Sequence, residues 1–355
     1  MPRVALITGS PGGRQQALAA ALAESGWETR TRSFVGLDLP DLVEAAQGAE
    51  AIFHVGLRTA RSLGTQARAD AEATAAYAAG RAAIAARARR FVLLSTTSVY
   101  GRPRNLPCQE GDLKAPRTAV ERARWRAEQA AWLAFRQGAP LTVLRPTLVY
   151  GPNLRAGAVR ALSLIALFNQ GRRRIPILRR GPVTHLVHVE DLARAAVHVA
   201  EYDEDAAVVG RAFNVADDAP LPLAEHLVAA LSAMGYSAGR ILPYSPRLTA
   251  MLLWLVRNVP DRVLVDPVNR WLTRAWERLT SRTGASSALA PRIDRESLLW
   301  MAADHYYDTR RLSALGWRPA YPISTVALPD TIRALLANSL LPAGSAPQLL
   351  DSNRT

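Results

Sequence analysis

Between the apolar run Val4 to Ile7 and an alanine-rich stretch reaching about Ser25 lie Thr8, Gly9, Ser10, Pro11, Gly12 and Gly13. Strand, glycine turn and helix in that order can make an anion site. Glycine lets the backbone approach a pyrophosphate closely, and the helix that follows offers unpaired N–H groups and the positive end of its dipole. The same turn also occurs as a bare structural corner, and two glycines alone do not choose between the two. His185 and His188 stand three apart with Glu190 and Asp191 nearby, residue types that can ligate a metal; a structural use is expected for them and no metal site. Lys114 is the single lysine of the chain, and the residue four before it is Glu110.

The elements that must position these residues are those of a folded globular chain. With 355 residues and 49% hydrophobic content, the chain can bury an α/β core plus a smaller second lobe. One cysteine, Cys108, excludes an intrachain disulfide. The first residues run straight into a strand and leave no room for a signal peptide, so the cytoplasmic side is expected, with peripheral attachment to the inner membrane face as a further option. No apolar run approaches the ~20 residues of a membrane-spanning helix; the stretch from Leu248 to Val256 is broken off by Arg257. The net charge of +14 comes almost wholly from arginine, whose abundance, like that of alanine, is read as codon bias as well as function. Such a charge attracts nucleic acid, anionic headgroups, phosphorylated substrates or an acidic partner. Without zinc-ligand spacing, a helix-turn-helix cue or an aromatic RNA motif, specific nucleic-acid binding is not expected.

Further blocks recur along the chain. Gly48-Ala49-Glu50-Ala51-Ile52-Phe53-His54-Val55-Gly56 follows Asp38-Leu39. Phe91-Val92-Leu93-Leu94-Ser95-Thr96-Thr97-Ser98-Val99-Tyr100-Gly101 precedes Leu144-Arg145-Pro146-Thr147-Leu148-Val149-Tyr150-Gly151-Pro152. His188-Val189-Glu190-Asp191-Leu192-Ala193, Gly210 to Val215 and Leu312 to Pro319 complete the series. Together they resemble the extended short-chain dehydrogenase/reductase family, the NAD-dependent epimerases and dehydratases. The resemblance implies an α/β fold, a Rossmann-type doubly wound parallel sheet with a smaller C-terminal α/β lobe. The dinucleotide-binding core would span residues 1–150, completed by about 183–218; residues 151–182 and 219–337 would form a smaller basic substrate or docking lobe, and 338–355 a flexible tail. By the same resemblance Gly9, Ser10, Pro11, Gly12 and Gly13 form the phosphate turn, with Gln15 where the pattern has a third glycine. Asp38 and Leu39 lie beside the adenine, Gly56 and Leu57 beside the phosphates, and Pro146 and Leu148 beside the nicotinamide. Members specific for NAD carry an acidic residue after the second strand. Here Ser33 stands there, preceded by Arg30 and Arg32, which suits the 2′-phosphate of NADP better than NAD; a solvated edge strand is the alternative.

The family's chemistry rests on a Tyr-x-x-x-Lys pair, and the single lysine rules that pair out of this chain. Registering the strand that ends at Gly101 and the later Ala127-Glu128-Gln129 against the pattern puts Val120 at the tyrosine position and Arg124 at the lysine position. Valine has no titratable group, and Arg124 keeps only the capacity to donate to ribose hydroxyls. Thr96 falls on the catalytic Ser/Thr position and survives as a vestigial hydrogen-bond donor. Tyr100 and Tyr150 are the candidates for a relocated acid. In the lobe, Arg155, Arg160, Arg172, Arg173, Arg174, Arg179 and Arg180 occur from Gly151 to Pro182 without Asp or Glu. Trp254, Trp271 and Trp276 are interleaved with further arginines, with Pro260 and Pro267 expected to divide that region into short helices. The pattern suits an interfacial segment and equally the lobe's own core. Two functions follow. One is a non-catalytic NAD(P)-binding accessory or scaffold protein docking on an anionic membrane surface or a larger membrane complex. The other is an atypical NADP-dependent oxidoreductase or epimerase acting on an anionic or lipid-like substrate.

Overall fold

A computed structural model of the protein describes residues 3–33, 39–57, 65–155, 157–169, 174–178, 181–242, 245, 247, 251, 254–256, 258–294, 298 and 303–342. The chain divides into two compact units. The first comprises Met1–Thr147, Val187–Asp217 and Tyr306–Ala320, and the second Leu148–Leu186, Asp218–His305 and Tyr321–Thr355. Against the expected boundaries, the first unit stops at Thr147, resumes at Val187 and also takes in Tyr306–Ala320, which was expected in the second lobe.

In the first unit strands and helices alternate: β1 (Arg3–Thr8), α1 (Gly13–Glu24), β2 (Trp27–Arg32), α2 (Leu39–Ala46), β3 (Ala51–His54), α3 (Thr65–Ala85), β4 (Arg90–Leu94), α4 (Ala119–Arg136) and β5 (Leu141–Pro146). With the strand Arg211–Val215 beyond β5, they form a six-stranded parallel sheet ordered β2, β1, β3, β4, β5 and Arg211–Val215. Every residue of β3, β4 and β5 is buried, as a parallel sheet covered on both faces requires. The chain leaves β1 for β2 on one side and returns to β3 on the other, so the C-terminal end of β1 is the topological switch point where such sheets bind ligands.

Alanine supplies much of the core between α3, α4 and the sheet: Ala76, Ala79, Ala82, Ala83, Ala131 and Ala134 pack with Phe91 and Leu93. Gly80 lies in the same contact; a Cβ there would sit 2.5 Å from that of Ala134 and 3.2 Å from Cε1 of Phe91. Helix α4 starts at a capping box. Thr118 Oγ1 accepts the Glu121 N–H at 3.1 Å, and Glu121 Oε2 accepts the Thr118 N–H at 2.9 Å.

The second unit holds the helices Ala158–Phe168, Leu223–Ala233, Asp261–Thr283 and Ser324–Ala337. It also holds a parallel strand pair, Arg174–Leu178 with Ser237–Leu242, and a short antiparallel pair, Val183–Thr184 with Leu221–Pro222. Pro267 does not divide the region after Pro260. Asp261–Thr283 is one helix with Pro267 inside it, and Pro260 stands just before its start. Proline there removes one intrahelical N–H bond at an exposed position, while Val265, Leu272, Trp276 and Leu279 are buried along the other face. Within the stretch expected to be a flexible tail, Leu340 and Leu341 are buried and both their N–H groups bond to the Leu335 carbonyl; 343–355 lie outside the described residues. Among the described residues no helix is long and apolar enough to cross a membrane.

Candidate active site at the glycine turn

Register places Thr8 between Arg32 of β2 and His54 of β3 at the C-terminal edge of the sheet. Gly9 turns there with φ +125°; a Cβ would come within 2.6 Å of the Gly56 carbonyl oxygen and 2.9 Å of Val55 Cγ2, so no side chain fits. The turn is pinned from both sides, with the Gly9 N–H donating to the Arg32 carbonyl at 3.2 Å and the Ser10 N–H to that of Gly56 at 3.0 Å. Gly12 is extended, and a Cβ on it would meet nothing within 4 Å. The open space in front of Gly12 and the start of α1 at Gly13 leave the approach that a diphosphate needs. Gln15 is half-buried in the first turn of α1.

Two arginines converge on this turn. Arg14 is half-buried, and burial first, Arg124 second, lowers its pKa to about 10. Among the described residues no carboxylate pairs with it. Arg124 reaches from α4 to Gly56, where a Cβ would lie 3.2 Å from its Nη1, and it pairs with Glu72 of α3 at 3.1 Å. Glu72 is buried, which raises its pKa against the opposing pull of Arg124. Beneath them His54 is 2% exposed, with Nδ1 2.9 Å from Thr8 Oγ1; burial and then Arg124 lower its pKa to about 3, so it is neutral.

The remaining expected residues distribute as follows. Arg32 and Ser33 are exposed at the end of β2, whereas Arg30 is tied to the Gln47 carbonyl at 2.9 Å and does not reach the edge. Leu39 opens α2 and is 40% exposed; Asp38 lies outside the described residues. Gly56, with φ +83°, and the half-buried Leu57 follow β3. Thr96 is half-buried and accepts the Ser98 N–H at 3.2 Å, capping the helical turn Thr97–Tyr100. Val120 and Arg124 stand one turn apart on α4, Val120 48% exposed. Pro146 closes β5 in the first unit, and Leu148 opens the second. Pro11 is exposed, and Ser10 and Gly13 are half-buried.

Tyr100 is not a relocated acid. It is 1% exposed, donates to Asn214 Oδ1 at 2.8 Å and accepts from Arg145 Nη1 at 2.8 Å; burial drives its pKa far up. Arg145 in turn forks onto Glu128, whose Oε1 lies 2.6 Å from Nη2, and Ser95 donates to the same carboxylate at 2.6 Å. The single lysine joins this core: Lys114 Nζ donates to the Glu110 carbonyl at 2.6 Å and lies 5.3 Å from the Tyr100 ring centre. His188 accepts the Glu190 N–H at 3.4 Å, and Asp191 accepts the Ala320 N–H at 2.8 Å, which gives both a structural use. Among the described residues no cluster of three His, Cys, Asp or Glu side chains could hold a metal ion. Arg14, His54 and Glu72 are the site residues that sequence reasoning missed.

The first unit carries the geometry by which its relatives are recognised. The model of the NAD dependent epimerase/dehydratase family matches residues 5–216. No curated protein matches the chain. Among solved structures, gox2253 superposes with a TM-score of 0.68 at 19% identity, covering 95% of this chain and 99% of that one. A short-chain dehydrogenase/reductase superfamily protein from Agrobacterium tumefaciens with bound NAD gives 0.65 at 17%, covering 94% and 98%. UDP-glucose 4-epimerase from Thermotoga maritima, solved with UDP-glucose, gives 0.65 at 16%, covering 94% and 99%. At such identities these structures speak for the fold. With the family match over more than half its length, the chain belongs to the NAD-dependent epimerase/dehydratase family, the extended short-chain dehydrogenases/reductases.

Proposed function

We propose that the protein binds NADP at the glycine turn without carrying out the family's standard acid/base chemistry, and that it acts as an accessory or scaffold protein. The observation that carries this reading is the arginine pair. Burial and the neighbouring Arg124 disfavour the charged form of Arg14 beside an open glycine turn, and Arg14 has no carboxylate of its own among the described residues. A bound diphosphate relieves that conflict, because an anion between two guanidinium groups stabilises both. Gly9, Ser10, Pro11, Gly12 and Gly13 would hold the diphosphate with Arg14. Arg32 and Ser33 would receive the 2′-phosphate, and Arg124 would face the ribose.

When bound, a nicotinamide cofactor supplies hydride chemistry, but Val120 offers no proton at the position read as that of the family tyrosine. Arg124, paired with Glu72, has no tyrosinate to stabilise. Titration of the purified protein with NADP and with NAD, alongside turnover assays, tests the reading. NADP is expected to bind more tightly than NAD. Arg14→Gln should weaken both nucleotides roughly tenfold or more, and Arg32→Ala should weaken NADP alone. Equal or tighter binding of NAD would refute the NADP preference. Rapid hydride transfer to a nucleotide-sugar or other anionic substrate would overturn the scaffold reading in favour of an atypical NADP-dependent oxidoreductase or epimerase.

A further inference from the structure

The aromatic and arginine residues of the second unit do not act as one group. Trp276 is wholly buried, and Arg155 and Arg160 donate to nearby backbone carbonyls. Arg172, Arg173, Arg179 and Arg180 lie outside the described residues, and Arg174 is exposed. The outward face of the helix Asp261–Thr283 is different. Arg270, Arg274, Arg278 and Arg282 recur every four residues and so form one row along the helix, all of them exposed. Among the described residues none of the four forms an ion pair with a carboxylate, while Asp266, four residues before Arg270, and Glu277 are exposed on the same helix.

Beside it runs a second row, also at four-residue spacing: Val263, 62% exposed, Pro267, and Trp271, 53% exposed. Phe168, 52% exposed, stacks on Trp271 with ring centres 5.9 Å apart. Trp254, in the same unit, is 61% exposed.

We propose that this helix face is a contact surface for a bilayer containing anionic phospholipid. A pocket for a small anion would make its guanidinium groups converge. These four instead spread over about 18 Å of helix, from Arg270 to Arg282 at 1.5 Å per residue, and about 120° around its outward face, as an extended layer of headgroups can meet. Arginine stems lie along apolar surface with their charge directed to phosphates, and an indole stacked on a phenyl ring suits the boundary between headgroup and acyl chain. A nucleic-acid backbone would answer the charges and leave the Val263–Pro267–Trp271 row in water. The inference deepens the docking part of the scaffold reading, and the nucleotide affinities described above stand or fall separately from it.

The test is co-sedimentation of the full chain with phosphatidylcholine vesicles with and without phosphatidylglycerol, across a salt series, with a duplex DNA of arbitrary sequence as a second ligand. The protein should sediment with the anionic vesicles at low salt and be released as salt rises. Arg274→Glu with Arg278→Glu should reduce the partition at least tenfold. Trp271→Ala should reduce it several-fold while leaving the salt dependence intact. Both substitutions fall on solvent-facing positions, and circular dichroism checks that the helix persists. The proposal is overturned if the wild type stays in the supernatant with anionic vesicles, if either variant sediments like the wild type, or if duplex DNA alone retains the protein.

Discussion

His54 should make this protein lose stability as the pH falls below the ordinary titration point of histidine. The imidazole is 2% exposed, bonded to Thr8 Oγ1 at 2.9 Å, and held at a pKa of about 3 by burial and by Arg124, against an ordinary value of 6.5. The folded protein therefore keeps the ring neutral while the unfolded chain protonates it. Stability contributed by the neutral ring is fully present above 6.5 and is lost as pH falls from 6.5 towards 3. Each pH unit inside that window is worth ~1.4 kcal/mol, so lowering the pH from about 7 to about 5 should remove about 2 kcal/mol. Urea denaturation at the two pH values measures it for the wild type and for His54→Asn, whose side chain keeps a polar atom near Thr8 but cannot titrate. The variant should be less stable at neutral pH and lose about 2 kcal/mol less than the wild type on acidification. If it loses as much between the two pH values as the wild type, His54 is not the group responsible and the packing around Thr8 is looser than described.

Removing the Glu128 carboxylate should be among the most damaging single changes, because Arg145, 3% exposed, would be left charged and unpaired. Glu128→Ala should cost about 3–5 kcal/mol, read as a lower urea midpoint, whereas Tyr100→Phe should cost only about 1 kcal/mol; equal losses would contradict the network. Val120→Tyr combined with Arg124→Lys restores the missing acid/base pair on the exposed start of α4. Any residual NADP-dependent reductase activity should then rise roughly 10²–10⁴-fold, and an unchanged rate would mean that these two positions are not where the reacting carbonyl sits. Gly9→Ala should abolish nucleotide binding, measured by titration, since its Cβ would strike the Gly56 carbonyl that fixes the turn; retained affinity would show that the turn can rearrange.

The strands β3, β4 and β5 were legible because burial on both faces leaves short apolar runs, Ala51-Ile52-Phe53, Phe91-Val92-Leu93-Leu94 and Val143-Leu144, and the glycine turn was legible from its place between strand and helix. The charged residues around the turn were not legible. Arg14 reads as an ordinary helical arginine and Glu72 as one acid in an alanine-rich helix; only the packing of α1, α3 and α4 brings them to Arg124. Tyr100 was misread for the reverse reason, since its hydroxyl is occupied by Asn214, more than a hundred residues away in the chain. Trp271 and Trp276, five residues apart, are about 140° apart around an unbroken helix. Expecting Pro267 to break that helix erased the phase that separates the exposed ring from the buried one.

The contact at Gly80 ties the candidate site to a part of the core far from any ligand. Helix α3 carries both Gly80 and Glu72, and α4 carries both Ala134 and Arg124, so the spacing of the two helices and the ion pair over the glycine turn are one mechanical unit. A single methyl group at Gly80 would lever the helices apart and draw Glu72 from Arg124. The alanine richness that resembles a bias of composition is, along this seam, a dimensional tolerance. Changes in the nucleotide site are open to this protein only while the seam between α3 and α4 stays small-residue, and mutations there should surface as altered nucleotide affinity as well as lost stability.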